Sequence, residues 1–182
     1  MDNIYPDNIT TKLIQSFNRS IIPVLRKRAN EICKLLIGEK YIHSAFNRFK
    51  KGYTYTVNDT IIGFSLWKEK NILYKNDNYI KSLHIILICG NHKDFKLGKK
   101  ILFDIESYCL DNNIGTISLE AANDDLVKYY IDNGYVLSNI PKTLIMHKEV
   151  QLFEIERKSR NKTRKYKSRI VEKLNNISLE EI

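Results

Sequence analysis

Four lysines lie close together at the beginning of a predicted helix, a position typical of a site that binds an anion. They are Lys93, Lys96, Lys99 and Lys100. The positive end of the helix macrodipole disfavours cations in the first turn, so these lysines are better explained if a polyanion lies among them. A strand end, a loop and a helix N-terminus also leave several backbone N–H groups free at this point, which suits phosphate. Residues 87–102 therefore predict a phosphate or pyrophosphate site, with a solvated basic turn as the alternative.

The elements around this loop form an alternating α/β unit. The apolar run over residues 85–88 predicts a buried strand, and the helix after the loop carries Leu97 and further apolar residues on one face. Downstream, residues 116–121 alternate like a strand, and Asn123 is a helix N-cap with acidic residues after it. Strand, helix, strand, helix and strand over residues 80–137 predict an α/β fold.

The N-terminal part of the chain is predicted to be helical. Apolar residues at helical spacing predict three helices within residues 1–50. The first covers residues 9–17, the second begins near Pro23 and ends at Gly38, and the third covers residues 42–49.

A β-hairpin is predicted to follow these helices. Residues 53–57 and 61–67 alternate as strands and flank an Asn-Asp turn at positions 58 and 59. The polar residues 70–79 predict a loop, with a short strand over residues 72–74 as an option within it. Two short closing strands are predicted over residues 135–137 and 143–150.

Length and composition indicate one globular domain with a tail. The 182 residues carry a net charge of +9 and are 43% hydrophobic, so anionic partners are favoured. Neither a signal peptide nor a membrane-spanning run is predicted, and no membrane partner is expected. Cys33, Cys89 and Cys109 lack metal or redox spacing, and we expect reduced thiols in a cytoplasmic protein. No metal site is predicted.

Residues 119–135 resemble the second conserved block of the GNAT superfamily of N-acetyltransferases. In that block an Asn that caps a helix is followed at fixed offsets by a small or apolar residue, a Tyr, and a Gly with an aromatic neighbour. The matching residues are Asn123, Leu126, Tyr130, Gly134 and Tyr135.

The lysine-rich loop is similar in position to the acetyl-CoA loop of that superfamily. The family pattern is Arg or Gln, two residues, Gly, one residue, and Gly or Ala. Lys93, Lys96 and Gly98 stand at the three defined positions. Lys93 keeps a hydrogen-bond donor, whereas Lys96 replaces a glycine that allows close backbone approach to the pyrophosphate.

The resemblance implies a GNAT-like acyltransferase fold, a mixed and mostly antiparallel sheet flanked by helices. It implies a single domain over residues 1–150, with a helical part at 1–50 and a sheet and cofactor core at 53–150. A basic extension follows at 151–182.

The implied chemistry is acetyl transfer from the cosubstrate acetyl-CoA to a primary amine of a small molecule or protein. The amine attacks the thioester directly in a ternary complex, without a metal. The backbone of Leu87 and Ile88 is expected to pair with pantetheine amides, as an added strand does. Asn123 is a further expected ligand, although helix capping alone explains it. The pyrophosphate is expected to be held by Lys93, Asp94, Phe95, Lys96, Leu97, Gly98 and Lys99.

Two side chains are candidates for proton transfer. Tyr130 stands at the position of the family's general acid, which protonates the departing thiolate; the alternative is a core tyrosine. His84 is the candidate base because it is expected to titrate near neutrality on the central strand. A hydrogen-bonded core histidine is the alternative, and Glu120 or a water chain could replace it as the base. Cys89 is rejected as a nucleophile, since no histidine partners it.

The C-terminal segment supports a different hypothesis. Residues 157–173 are rich in Lys and Arg and nearly free of acidic residues, so they could bind nucleic acid by counterion release. A solvated extension is the alternative. Together with Lys96, this segment suggests a catalytically degenerate GNAT-fold binding module as the second interpretation of the chain.

Overall fold

The computed structural model describes residues 9–33, 37–73, 79–90 and 97–150. These residues form a seven-stranded sheet and four helices. Their order is β1 (Thr10–Gln15), α1 (Ile21–Ile32), α2 (Glu39–Arg48), β2 (Lys51–Val57), β3 (Thr60–Leu73), β4 (Tyr79–Gly90), α3 (Leu97–Asp111), β5 (Thr116–Glu120), α4 (Asp124–Ile131), β6 (Val136–Leu137) and β7 (Ile145–Glu149). The strands lie in the order β1-β2-β3-β4-β5-β7-β6. Only β4 and β5 pair in parallel among these neighbours.

Each face of the sheet carries its own apolar core. On one face, Leu25 of α1 and Phe46 of α2 pack with Phe64 and Leu87 of the sheet. On the other face, the buried side of α3 packs with Trp67, Leu83 and Ile117. Helices on both faces remove water from the central strands, which is why residues 85–89 of β4 can be wholly apolar.

The first predicted helix is wrong, because residues 10–15 form β1 and pair antiparallel with β2. Leu13 and Phe17, which lie at helical spacing within that predicted helix, are 41% and 73% exposed, whereas Ile14 is fully buried. Pairing with the β2 edge outweighs the weak periodicity of this short segment, and its two threonines suit a strand. The second and third predicted helices are confirmed by α1 and α2, but α1 ends at Ile32 and not at Gly38.

The predicted loop over residues 70–79 is also wrong at both ends, and residues 74–78 lie outside the described residues. The optional strand from residue 72 is present up to Leu73, as the end of β3. β3 continues to Leu73 and β4 begins at Tyr79, and these residues pair across the two strands. Leu73 and Tyr79 are 60% and 73% exposed, so this end of the hairpin extends beyond the cover of the helices. Polar side chains are tolerated there, and the sequence therefore resembles a loop.

Turns and caps follow the sequence signals closely. Asn58 and Asp59 have positive φ angles of 47° and 59°, as a two-residue hairpin turn requires. The Leu126 N–H donates to Asn123 Oδ1 at 2.9 Å and caps α4. Gly134, with φ +83°, ends the turn that follows α4. The described helices include none that is both long and apolar enough to cross a membrane.

The cysteine prediction is wrong for two of the three residues. Cys33, after α1, and Cys89, on β4, form a disulfide with their Cα atoms 5.8 Å apart. Cys109 is a buried free thiol, and burial raises its pKa to about 12. The 56-residue separation of the bonded pair gave no signal in the sequence. The bond fastens the end of α1 to the central strand.

Two glycines fix the position of the α3 N-terminus. The buried Leu97 side chain lies against Gly90 at the end of β4 and against Gly63 on β3. A Cβ atom at Gly63 would lie 2.7 Å from Leu97 Cδ2 and 2.8 Å from the Cys89 carbonyl oxygen. The beginning of α3 is therefore held against the end of β4 by a contact that requires glycine.

We predict that Gly63→Ala lowers the free energy of unfolding by about 1–3 kcal/mol, because the new methyl group meets a backbone oxygen that cannot move alone. Gly38→Ala is the matched control, since a Cβ atom there would meet nothing within 4 Å. The control should cost only about 0.5 kcal/mol, for a weaker helix cap. Urea unfolding measures both, and equal losses would contradict the packing argument.

Candidate active site

The two central parallel strands separate halfway along their length. β4 pairs with β5 only over Ser82–His84, opposite Thr116–Ser118. Beyond this point β4 contains a bulge, because Ile85 pairs with Trp67 and Leu87 with Leu66, which leaves Ile86 as the extra residue. A bulge bends its strand and increases the local twist. The strands beyond His84 are therefore not paired with each other.

A cleft of about 360 Å³ lies between the separated strands. One wall is the bulged part of β4, and the other is the end of β5 with the first turns of α4. Residues before and within α2 close the cleft above the sheet. The lining residues are Ile37, Gly38, Tyr41, Ile85, Ile86, Leu87, Ile88, Leu119, Glu120, Ala121, Ala122, Leu126 and Tyr130.

The bulge turns a backbone acceptor towards the cleft. The Tyr41 hydroxyl donates a hydrogen bond of 3.0 Å to the Ile86 carbonyl oxygen. Because Tyr41 lines the cleft, this carbonyl faces the cleft and not β3. An unpaired strand edge with accessible backbone groups can bind an extended ligand as an additional strand. The β4 wall is thus suited to a chain of amide groups.

Tyr130 lies in the wall opposite β4. Its side chain is 9% exposed and packs against the rings of Tyr129 and Tyr135, with centroids 5.4 and 5.7 Å away. Burial, with smaller contributions from Tyr129 and Tyr41, raises the pKa of Tyr130 to about 12. The phenol is therefore protonated at neutral pH and can act as a proton donor.

His84 lies at the point where the two strands begin to separate. Its Nδ1 atom is hydrogen-bonded to Ser118 Oγ at 3.1 Å, and its side chain is not part of the cleft lining. Burial lowers the pKa of His84 to about 4, and the charges of Lys68, Lys70 and Arg48 add to the effect. The expectation that His84 titrates near neutrality is therefore wrong. The imidazole is neutral at pH 7 and only weakly basic.

The predicted cofactor residues are only partly brought together by the described structure. Leu87 and Ile88 line the cleft, as does the alternative base Glu120. Asn123 is exposed at the start of α4, next to the lining residue Ala122. Its side-chain oxygen is used in the helix cap. Lys93, Asp94, Phe95 and Lys96 lie outside the described residues.

The residues that begin α3 are described and lie beside α4. Leu97 is buried, Lys99 is exposed, and a Cβ atom at Gly98 would lie 2.6 Å from the Tyr129 hydroxyl. Lys100 forms an ion pair of 3.1 Å with Asp104, so an acidic side chain one turn later compensates one lysine of the first turn. Gly98 thus allows the α3 N-terminus to approach α4 closely.

Tyr41 is the main cleft residue that the sequence did not indicate. It stands on α2, is 39% exposed, and has the Arg48 guanidinium 5.6 Å from its ring centroid. An exposed aromatic residue on a polar helix face was the available signal. Tyr41 becomes a cleft residue only because α2 packs over the bulge, and no local sequence pattern predicts that packing. Among the described residues, no group of three side chains could hold a metal ion.

Comparison with known proteins identifies the fold. No protein-family model matches the chain, and no curated protein matches its sequence. Among solved structures, it resembles a GNAT-family acetyltransferase from Desulfovibrio desulfuricans at TM-score 0.60 and 12% identity, over 78% of this chain and 99% of that one. It also resembles the PaiA N-acetyltransferase of Thermoplasma acidophilum in complex with coenzyme A, at TM-score 0.53 and 18% identity, over 78% and 98%.

A third similar structure is a KacTA–DNA complex, at TM-score 0.53 and 12% identity, over 78% of this chain and 93% of that one. With these likenesses and the seven-stranded mixed sheet, the chain has the GNAT acyltransferase fold. The fold that the sequence resemblance implied is confirmed.

We predict that His84 contributes to acid destabilisation. Its folded-state pKa of about 4 lies below the value of about 6.5 in an unfolded chain, so the unfolded state binds more protons between these values. The free energy of unfolding contributed by His84 should therefore fall as the pH decreases from about 6.5 to about 4.

Urea unfolding of His84→Asn at pH 7 and pH 5 should show a smaller pH-dependent loss than the wild type. His43→Asn, which changes an exposed histidine on α2, is the control and should keep the wild-type loss. The same pH dependence in all three proteins would contradict the assignment.

Proposed function

We propose that this protein is an acetyl-CoA-dependent N-acetyltransferase in which the amine attacks the thioester directly. One observation carries the proposal: β4 separates from β5 at a bulge and opens a cleft, and Tyr130 lies in the opposite wall. Such a cleft offers unpaired backbone on one side and a protonated phenol on the other. These are the groups that acyl transfer from a pantetheine thioester requires.

The cofactor assignment follows from the elements at the ends of this cleft. The backbone at Leu87 and Ile88 would pair with the pantetheine amides. The α3 N-terminus, where Leu97, Gly98 and Lys99 begin the helix, lies against the end of β4 and would supply N–H groups to the pyrophosphate. Lys93, Asp94, Phe95 and Lys96, which precede that helix, would complete the phosphate site.

In the proposed reaction, the amine nitrogen forms a bond to the thioester carbonyl carbon and the carbon–sulfur bond then breaks. Tyr130 would give its proton to the departing thiolate. The proton lost by the amine would pass to a base. His84, which lies beside the cleft and is unprotonated at neutral pH, is one candidate, and its lowered pKa makes it a weak base. Glu120, which lines the cleft, is the alternative carboxylate.

We predict that Tyr130→Phe lowers the rate of acetyl transfer by about a hundredfold or more while the affinity for CoA changes little, because only the proton donor is lost. Calorimetry with CoA and thiol release from acetyl-CoA with a panel of primary amines measure the two quantities. Tyr135→Phe is the matched control, since it removes a hydroxyl from a buried neighbouring ring. No binding of CoA at millimolar concentration would contradict the proposed function, and unchanged turnover would remove Tyr130 from the mechanism.

A second candidate function is a non-catalytic GNAT-fold module that binds nucleic acid. The observation that favours it is the basic segment at residues 157–173, which lies outside the described residues, together with Lys96 at a family glycine position. One similar structure is a DNA complex. This candidate retains the fold but needs no transfer of acetyl groups.

This second candidate predicts salt-dependent RNA or DNA binding that is lost when residues 151–182 are deleted, because counterion release supplies the affinity. A filter-binding or anisotropy titration at several salt concentrations measures it. Lys96→Gly tests the loop separately: a large gain in CoA affinity would indicate a degenerate loop, and a loss would indicate an adapted one. Binding that survives the deletion would contradict the role of the tail.

A further inference from the structure

On the sheet face next to the cleft, a row of partly buried polar side chains extends beyond the described helices. α1 and α2 cover the half of this face that holds Phe64 and Leu87. Beyond the helices, Lys68, His84, Ser118 and His147 stand at paired positions on β3, β4, β5 and β7. Paired residues of neighbouring strands point to the same face, so these four side chains form one row across the sheet. The row crosses the sheet at the point where the cleft begins.

Three cations lie around His84 on this face. Lys68 is directly opposite His84, Lys70 is opposite the buried Ser82, and the charges of both lysines and of Arg48 act on the imidazole. Within the described ranges, none of the three forms an ion pair with a carboxylate. Their positive potential is therefore left available to a ligand.

On the opposite face of the same sheet, three lysines are ion-paired. Against α3, each of three lysines has a carboxylate partner within 3.1 Å. The pairs are Lys51–Glu69, Lys100–Asp104 and Lys148–Glu106. Lysines of this sheet can therefore be ion-paired, whereas the three cations near His84 have no carboxylate partner among the described residues.

The cationic cluster is continuous with the cleft. The Arg48 guanidinium lies over the ring of Tyr41, and the Tyr41 hydroxyl is bonded to the Ile86 carbonyl oxygen in the cleft. Among the described residues, Glu120 is the one carboxylate in the cleft lining. A negative charge in the cleft and positive charges at its mouth are complementary to a molecule with an ammonium group at one end and an anionic group at the other.

We propose that the acceptor is a primary amine that carries a phosphate or carboxylate group, and that Arg48, Lys68 and Lys70 bind this anionic group. The inference rests on the proposed acetyl transfer. The anion would offset the repulsion between the three cations and the incoming ammonium ion.

The test uses the full chain saturated with CoA, so that the cofactor phosphate site is already filled. The probes are O-phosphoethanolamine, β-alanine and ethanolamine, added at constant ionic strength. We expect the NMR signals of the His84 ring to shift with the two anionic probes and not with ethanolamine. A response to O-phosphoethanolamine alone identifies phosphate as the recognised group, and equal responses identify an anion of either kind.

Charge-removing variants locate the site. Lys68→Gln/Lys70→Gln should weaken binding of the anionic probe by about tenfold, the expected effect of losing two partly screened charge contacts. Lys27→Gln/Lys81→Gln removes the same net charge from exposed positions elsewhere and should leave the affinity unchanged. Equal weakening in both double variants would overturn the proposal, because it would show a general charge effect.

The acetyltransferase function and the acceptor class are contradicted by different results. If calorimetry shows no CoA binding, the proposed acetyltransferase function fails first. If CoA binds but neither anionic probe shifts the His84 ring signals, the acceptor class is wrong and the enzyme assignment stands. With acetyl-CoA, a thiol-release rate for O-phosphoethanolamine or β-alanine about tenfold above that for ethanolamine would support the proposal. A higher rate for ethanolamine than for both would overturn it.

Discussion

The bulge at Ile86 is the constraint on which the rest of the site depends. One extra residue in β4 bends the strand away from β5, and the two strands cannot pair beyond His84. Separation removes the ladder partners of backbone groups on both strands, and each such group costs roughly 1–3 kcal/mol if it stays buried without a partner. The fold meets this cost at the bulge itself, where the Tyr41 hydroxyl bonds to the Ile86 carbonyl. The cleft is therefore part of the sheet's construction and not a packing defect.

The elements around the bulge are fixed by close contacts of small residues. Leu97 lies between Gly63 and Gly90, and Gly98 faces the Tyr129 hydroxyl, so α3 begins where β4 ends and touches α4. Backbone N–H groups, the separated strand edge and Tyr130 are thereby held on rigid elements around one cleft. A constellation that depends on helices and strands is held more precisely than one that depends on loops.

The sequence predicted the elements that local signals determine. The Asn123 cap, the turn at Asn58 and Asp59 and the apolar strand β4 follow from side-chain chemistry within a few residues. The sequence prediction was wrong for β1, because this segment becomes a strand only by pairing with the edge of β2. Within the site, the position of Tyr130 could be inferred from its offset to the cap. Tyr41 and the pKa of His84 could not, because both depend on elements distant in the sequence.

Two departures from the rules of stability lie on two sides of the same cleft. Lysines occupy the first turn of α3, where the dipole disfavours them, and a half-buried His84 lies among three cations without carboxylate partners in the described structure. Sequences that otherwise agree with their fold break such rules mainly at functional sites. Both departures are relieved by the same kind of ligand, an anion. The cofactor phosphate and the anionic acceptor that we propose would therefore meet at one bulge, the first from the α3 side and the second from the β3 side.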